Sequence, residues 1–389
     1  MKAARRAVVI VLDGVGIGAA HDAAAYGDAG CDTLGHVAAA VQGADLPNLE
    51  RLGLGRVATL SGVRSDVALA GVFGSMQPAS PGKDSTTGHW ELAGLHLDRP
   101  FPTYPRGFPD DLVSEFSRRI DKGVIGNVVG SGTAVIDRFA PEHLRSGALI
   151  LYTSADSVFQ LAAHEDVVPL EELYRACRDA RTLLVAPHNV SRVIARPFVG
   201  VPGAFRRTER RRDFSVEPTG ETLLDALAAA GIARTGIGKV DDLFAGRGIA
   251  SRHTADNAEG ISAMLGWLSS TESGFLFVNL VDFDQQFGHR NDVAGFYGAL
   301  RQFDAALPSL LQALREDDLL AITADHGNDP TSPSTDHSRE RVPILLTGAA
   351  LLPGSVGERP TFSDLGATVA EWFGIAFRGR GTSFLSEIL

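Results

Sequence analysis

The chain has 389 residues, of which 44% are hydrophobic and 21% charged. That length exceeds one typical core and makes two domains the expectation, while the composition excludes a disordered chain or a coiled coil. A formal net charge of -11 argues against a general nucleic-acid binder, which needs a broad basic surface. Cys31 and Cys177 are the only cysteines and form no CxxC spacing. They imply neither a disulfide framework nor a thiolate zinc site, and both read as small buried apolar residues. The N-terminal Met1-Lys-Ala-Ala-Arg-Arg is followed by only six apolar residues before Asp13, too few for a secretory signal or a membrane span. The reading is a cytoplasmic protein with no membrane partner.

Ala7–Leu12 reads as a central strand running into Asp13-Gly-Val-Gly-Ile-Gly18. The glycines do not keep GxGxxG spacing, and an acid stands where a phosphate-binding turn should be neutral. A metal-ligating Asp13 at a strand end suits the stretch better. Asp45–Arg56 reads as a capped helix ending at glycine. Ser80-Pro-Gly-Lys-Asp-Ser85-Thr-Thr-Gly-His-Trp-Glu91 reads either as a hydroxyl-rich turn capping a helix that starts near Gly88, or as a nucleophile at a helix N-terminus. In the second case, backbone N–H groups would favour a phosphate. Ser85 would then need a base or metal to activate it.

The texture changes near Pro100. Phe101–Pro109 reads as a Pro-rich linker, Ala148–Tyr152, Thr182–Ala186 and Val190–Ala195 as strands, and Leu170–Ala180 as a helix. Phe205–Phe214 packs five arginines into ten residues, either a solvated basic loop or a phosphate-binding one, since arginine binds phosphate bidentately. From Pro218 the α/β texture resumes with a helix, then Arg234–Gly238 and Lys239. Phe275–Val281 is a strand that runs into Asp282-Phe-Asp284 and His289. Phe296, Leu300, Phe303, Leu307, Leu310, Leu311 and Leu314 keep the helical spacing of a core face, broken or kinked at Pro308. Leu319–Thr323 is the third acid-terminated strand. It leads into Asp325 and His326, with His337 returning from the following loop. The fold expected is α/β, a mainly parallel sheet flanked by helices in 1–99 and 216–389, with an α+β domain inserted at 100–215.

Open α/β sheets bind ligands beyond the carboxyl ends of their strands. The metal-ligand candidates are therefore Asp13, Ser85, Asp284, His289, Asp325, His326 and His337. Carboxylate and imidazole donors without thiolates suit Mn²⁺, Zn²⁺ or Mg²⁺. Seven donors exceed one tetrahedral site, and two ions a few ångströms apart suit phosphoryl displacement. With Ser85 beside them, the implied chemistry is phosphoryl transfer through a phosphoserine.

Gly82-Lys-Asp-Ser-Thr-Thr-Gly-His-Trp-Glu91, Asn279-Leu-Val-Asp-Phe-Asp284 with Gly288-His-Arg290, and Ala324-Asp-His-Gly-Asn-Asp-Pro330 with Thr335-Asp-His337 resemble the phosphopentomutase family of the alkaline phosphatase superfamily. The resemblance runs nearly end to end. It extends through Gly126-Asn127, Ser131-Gly-Thr133, Tyr152-Thr-Ser-Ala-Asp-Ser-Val158, Ala163-His-Glu165, Ile194-Ala-Arg-Pro-Phe198 and Gly238-Lys239.

The resemblance implies an alkaline-phosphatase-like core with an inserted cap, two Mn²⁺ ions and a sugar bisphosphate activator. It implies interconversion of ribose 5-phosphate with α-ribose 1-phosphate, and of the deoxyribose pair. Asp284, His289 and His337 would hold one ion, and Asp13, Ser85, Asp325 and His326 the other. Asp156, Arg192, Arg207 and Lys239 match substrate-contacting positions, and Arg211 matches within the basic run. The chain departs from the family pattern at Ser85, where threonine is usual, and after Asn127, where lysine is usual. Those departures keep three enzyme readings open: a pentomutase, a mutase of another sugar phosphate, and a metal-dependent phosphatase. Thr86 or Thr87 is the alternative phosphoryl acceptor. A silent sugar-phosphate binder is disfavoured because nucleophile and donors are all present.

Overall fold

The computed structural model describes residues 5–154 and 156–389. Fourteen strands occur among them: β1 (Arg6–Leu12), β2 (Val72–Met76), β3 (Val124–Val129), β4 (Leu149–Thr153), β5 (Val158–His164), β6 (Arg192–Val199), β7 (Arg206–Arg207), β8 (Arg212–Ser215), β9 (Arg234–Ile237), β10 (Ser251–Arg252), β11 (Gly274–Leu280), β12 (Asp318–Thr323), β13 (Val342–Thr347) and β14 (Gly354–Arg359). The chain divides into two compact units, Met1–Pro100 with Pro218–Leu389, and Phe101–Glu217.

The first unit is built on an eight-stranded sheet in the order β10-β9-β11-β1-β12-β13-β2-β14. From β10 to β12 every pairing is parallel, and β13 runs antiparallel to both its neighbours. β1, β11 and β12 are buried along their whole length, as expected of parallel strands covered on both faces. Their adjacency brings the ends of three acid-terminated strands to one edge of the sheet. Arg6 opens β1 fully buried, and its Nε donates to Asp318 Oδ1 at 2.9 Å at the start of β12. A buried guanidinium needs such a partner.

Two helical expectations change here. The stretch from 45 to 56 forms two short helices, Pro47–Leu52 and Leu54–Val57, separated at Gly53. Gly53 has φ +107°, and a Cβ there would lie 2.6 Å from Phe73 Cβ, so only glycine fits the break. The helix Val293–Gln312 is not broken at Pro308 but runs through it. Proline supplies no N–H to the Asp304 carbonyl one turn earlier. That carbonyl instead accepts the Asn48 side-chain amide at 3.0 Å, while the Asp304 carboxylate accepts the Asn48 and Leu49 N–H groups.

The second unit carries a mixed sheet in the order β3-β4-β5-β6-β7, with β8 also paired to β6. One face packs Phe159, Leu161, Val193 and Ala195 against Phe116, Leu173 and Cys177 of the helices Asp110–Ile120 and Leu170–Leu183. The other packs Ile150, Tyr152 and Phe198 against Val135, Ile136 and Ala140 of the helix Gly132–Ser146. Thr182–Ala186 is not a strand. Thr182 and Leu183 close the helix Leu170–Leu183, and Arg181 donates to the Leu184 and Val190 carbonyls at 2.6 Å each. The apolar Leu183–Leu184 pair is core packing at a helix end, a pattern that a short run shares with a strand. The Pro-rich segment is not a free linker either, because Phe101 and Phe108 are buried.

Candidate metal centre and phosphoryl-transfer site

The loop after β2 presents Ser85 through several buried polar anchors. The helix there is Ser85–Leu92, starting three residues before Gly88, because Asp84 is its N-cap and accepts the Thr87 N–H at 3.1 Å. Glu91 is buried and accepts the Ala79 and Ser80 N–H groups at 2.8 and 2.7 Å. Arg339, also buried, donates to the carbonyls of Pro78, Ser80 and Gly82 at 2.9, 2.6 and 2.5 Å. Gly88 lets this helix approach the end of β12, since a Cβ there would lie 2.2 Å from the Asp325 carbonyl oxygen.

Ser85 Oγ lies 3.1 Å from His326 Nε2 and 3.4 Å from Asp13 Oδ1. The Thr87 hydroxyl is instead taken up by Asp84 Oδ2 at 2.6 Å. Asp13, Asp325 and His326 form one group of potential metal donors, with His326 Nε2 3.2 Å from Asp13 Oδ1 and 3.5 Å from Asp325 Oδ2. Asp284, His289 and His337 form a second, with both imidazole Nε2 atoms 3.2 Å from the Asp284 carboxylate. The groups adjoin: the His326 and His337 ring centroids are 4.1 Å apart. Asp284 sits in a single π-helical turn, Phe283–Phe287, a distortion frequent at functional sites.

These side chains perturb one another strongly. Burial lifts the Asp13 carboxyl above its ordinary range, and the Asp325 and Asp284 charges add to the effect. Burial acts upward on Asp284 too, but the His337 charge and the hydrogen bonds of His289 and His337 outweigh it and hold it well below the usual carboxylate range. Burial would lower His289, yet the Asp284 hydrogen bond and charge carry it up to about 9. His326 is likewise lifted well above an ordinary imidazole, against burial, by Asp325 and Asp13.

The donor chemistry fits divalent ions. Both groups mix carboxylate with imidazole, and the buried Asp325 Oδ2 and His337 Nε2 have no well-aligned hydrogen-bond partner among the described residues. Asp325 Oδ1 accepts the Gly14 N–H at 3.1 Å, and His289 Nδ1 bonds the Thr335 carbonyl at 2.7 Å. These outer contacts orient the donors. A third group, Asp241, Asp242 and His253, lies at the surface with His253 Nε2 2.8 Å from Asp241 Oδ1.

Sequence reasoning gave no role to His89, Asn279 or Asn328, although all three lie within motifs quoted for the resemblance. His89 is fully buried, and its Nδ1 lies 2.9 Å from the Ser85 carbonyl oxygen and 3.0 Å from Asp325 Oδ2. Nothing in the local pattern marks Arg339 as the anchor of the Ser85 loop.

Of the four substrate-contact candidates, Lys239 belongs to the first unit and Asp156, Arg192 and Arg207 to the second. Lys239 is exposed and donates to Gln285 Oε1, next to Asp284. Asp156 lies in the turn between β4 and β5, and Ala155 beside it is outside the described residues. Strand pairing sets Arg192, Arg196 and Arg207 on the sheet face that carries Tyr152 and Phe198. The basic run is not one loop. Arg206 and Arg207 form β7, Arg210 pairs with Glu165, Arg211 bonds Asp213 at 2.7 Å, and Arg212 stacks over Tyr174 and Phe214. Tyr152 is buried on this face, and its hydroxyl has no partner among the described residues.

The fold and donor groups define a divalent-metal enzyme, and a family model described as the metalloenzyme superfamily matches residues 5–376. Over 386 residues the chain is 53% identical to the phosphopentomutase of Carboxydothermus hydrogenoformans and 53% identical to that of Anaeromyxobacter sp. strain K, with 99% of each chain covered. A solved phosphoglycerate mutase from Leishmania mexicana shares the fold at a TM-score of 0.51 and 12% identity, over 97% of both chains. The chain belongs to the phosphopentomutase family and is an enzyme, a phosphotransferase-type isomerase. The expected α/β core with a mainly parallel sheet holds. No helix among the described residues is long and apolar enough to cross a membrane.

Proposed function

We propose that the protein is a phosphopentomutase of the cytoplasm, interconverting ribose 5-phosphate with α-ribose 1-phosphate and the corresponding deoxyribose phosphates. The observation that carries this is a serine hydroxyl at a helix N-terminus, 3.1 Å from His326 and 3.4 Å from Asp13, beside two adjoining groups of carboxylate and imidazole donors. Family identity of 50–53% supports the same reading.

Asp284, His289 and His337 would hold one Mn²⁺, and Asp13, Ser85, Asp325 and His326 the other. When bound, the ions supply Lewis acidity to the transferring phosphoryl group and favour the ionised serine hydroxyl. The chain's own residues do the rest. Phosphorylated Ser85 gives its phosphoryl group to the free hydroxyl of a pentose monophosphate, whose proton leaves as the new ester forms. The resulting 1,5-bisphosphate returns its other phosphoryl group to Ser85, releasing the isomeric monophosphate. The helix N–H groups behind Ser85 favour the phosphate dianion. Arg192, Arg207, Asp156 and Lys239 are the proposed substrate contacts, the arginines binding phosphate and the acid a sugar hydroxyl. The inserted unit acts as a cap, and excluding water favours transfer to sugar over hydrolysis. A sugar bisphosphate primes Ser85. No nucleic acid takes part.

One assay tests this. Mn²⁺-loaded protein is given ribose 5-phosphate with trace sugar 1,6-bisphosphate, and ribose 1-phosphate and free phosphate are followed together. Ribose 1-phosphate without matching free phosphate is the expected result. Free phosphate alone would make the protein a phosphatase, a reading that serine in place of threonine favours because its ester rotates more freely. Neither product would remove the pentose assignment and point to another sugar phosphate.

A further inference from the structure

Each of the two donor groups has a buried asparagine set against its carboxylate. Asn279, on β11 directly opposite Val11 of β1, is 1% exposed and donates through Nδ2 to Asp13 Oδ2 at 3.0 Å. That contact occupies one carboxylate oxygen and leaves the other, Oδ1, facing His326 and Ser85. Asn328, in the loop after β12, is fully buried and donates through Nδ2 to Asp284 Oδ1 at 2.6 Å. Its backbone is fixed as well: its N–H lies 2.8 Å from the Gly14 carbonyl oxygen and 3.1 Å from Thr33 Oγ1.

The orientation of both amides follows from their surroundings. In each, Nδ2 faces a carboxylate and Oδ1 has no partner among the described residues. A flipped amide would aim its carbonyl oxygen at a carboxylate oxygen, two acceptors in repulsion. The neighbouring backbone is shaped to admit Asn328. A Cβ on Gly288 would lie 2.5 Å from its Cγ, and one on Gly14 3.0 Å from its Cβ. Both glycines belong to the segments that carry Asp284 and Asp13.

We propose that Asn279 and Asn328 are dedicated positioning residues, one for each metal group. Asn279 orients Asp13 and Asn328 orients Asp284, so the two ion affinities are set separately by two uncharged side chains. This rests on the two-ion reading above but not on the identity of the sugar. Neither amide touches substrate in this scheme. Each acts by limiting how its carboxylate can rotate, which is how outer hydrogen bonds ordinarily tune metal ligands.

The test uses Mn²⁺ alone, titrated into the ion-free full-length chain and followed through the spin resonance of free Mn²⁺. Asp284→Ala and Asp325→Ala identify which binding step belongs to which group. Asn328→Leu, close in volume but without a donor, and Asn328→Ala should each weaken the Asp284 step about 10- to 100-fold, leaving the Asp13 step within about 3-fold. Asn279→Leu and Asn279→Ala should show the reverse pattern. Agreement between the leucine and alanine variants separates donor loss from a packing defect. Wild-type affinities in the variants, or either substitution weakening both steps equally, would overturn the proposal. A wild-type chain binding fewer than two ions would overturn it together with the two-ion reading. Two tight ions without turnover of ribose 5-phosphate would refute only the pentose assignment.

Discussion

Gly88→Ala sets two physical effects against each other. In an open helix, alanine is better than glycine by about 1 kcal/mol, because glycine loses more backbone freedom on folding. Here the added Cβ would stand 2.2 Å from the Asp325 carbonyl oxygen and 2.7 Å from Asp325 Cβ. Both are below any ordinary contact, and the first is a backbone atom at the end of a central strand. Relief requires the helix Ser85–Leu92 to withdraw by roughly 1 Å, and overpacking of this kind costs about 1–3 kcal/mol. The same withdrawal carries Ser85 Oγ away from His326 and Asp13, now 3.1 and 3.4 Å distant. Misplacement by about 1 Å can cost on the order of 10²-fold in rate. The expected variant is therefore no more stable than the parent and about 10²-fold slower in forming ribose 1-phosphate. Equilibrium unfolding in urea and steady-state turnover read the two effects. A variant that gained about 1 kcal/mol and kept its turnover would show that the helix does not rest on the β12 end.

Ser85→Ala should lower turnover by at least about 10³-fold and abolish phosphoprotein, whereas phosphate found by fragment mass analysis on Thr86 would reassign the nucleophile. Ser85→Thr keeps the hydroxyl and restricts rotation of its ester, so free phosphate per ribose 1-phosphate formed should fall, and an unchanged ratio would count against that argument. His289, with a pKa lifted from 6.5 to about 9, must lose its proton before it can bind an ion. Mn²⁺ affinity should therefore rise with pH up to about 9 with release of protons. In the ion-free chain the same group contributes stability that is complete below 6.5 and lost as pH rises through about 9. Calorimetric titrations in two buffers of different ionisation enthalpy would detect the released protons, and none at neutral pH would contradict the assignment. Asp318→Ala leaves the buried Arg6 guanidinium without its carboxylate and should cost about 3–5 kcal/mol, measured by urea unfolding. A loss below about 1 kcal/mol would mean that the carbonyls of Thr271 and Ala313 suffice as partners.

Much of the framework could be read from local pattern. β1, β11 and β12 are short β-rich runs, each followed closely by an acid, and a hydrophobic run that stops at a charge marks a strand end whatever the rest of the chain does. The helical spacing from Phe296 to Leu311 persisted through Pro308, where one missing N–H was compensated by Asn48 from a remote part of the chain. Thr182–Ala186 misled because four or five apolar residues look alike in a strand and at a buried helix end. The start of the Ser85 helix was missed by three residues, since Asp84 can cap only once its side chain has turned back onto Thr87.

The sequence alone determined which donors are available and that they stand at strand ends, because residue type and hydrophobic period are local properties. It did not determine which donors meet. Asp13 faces His326 only because β1 lies beside β12, and Asp284 meets His337 across a loop that must first fold back. The same non-local order brings Asn279, Asn328 and Arg339 to their partners. Polar side chains in buried sites are selected for what they face, and what they face is a property of the sheet order and not of the neighbouring residues in the chain.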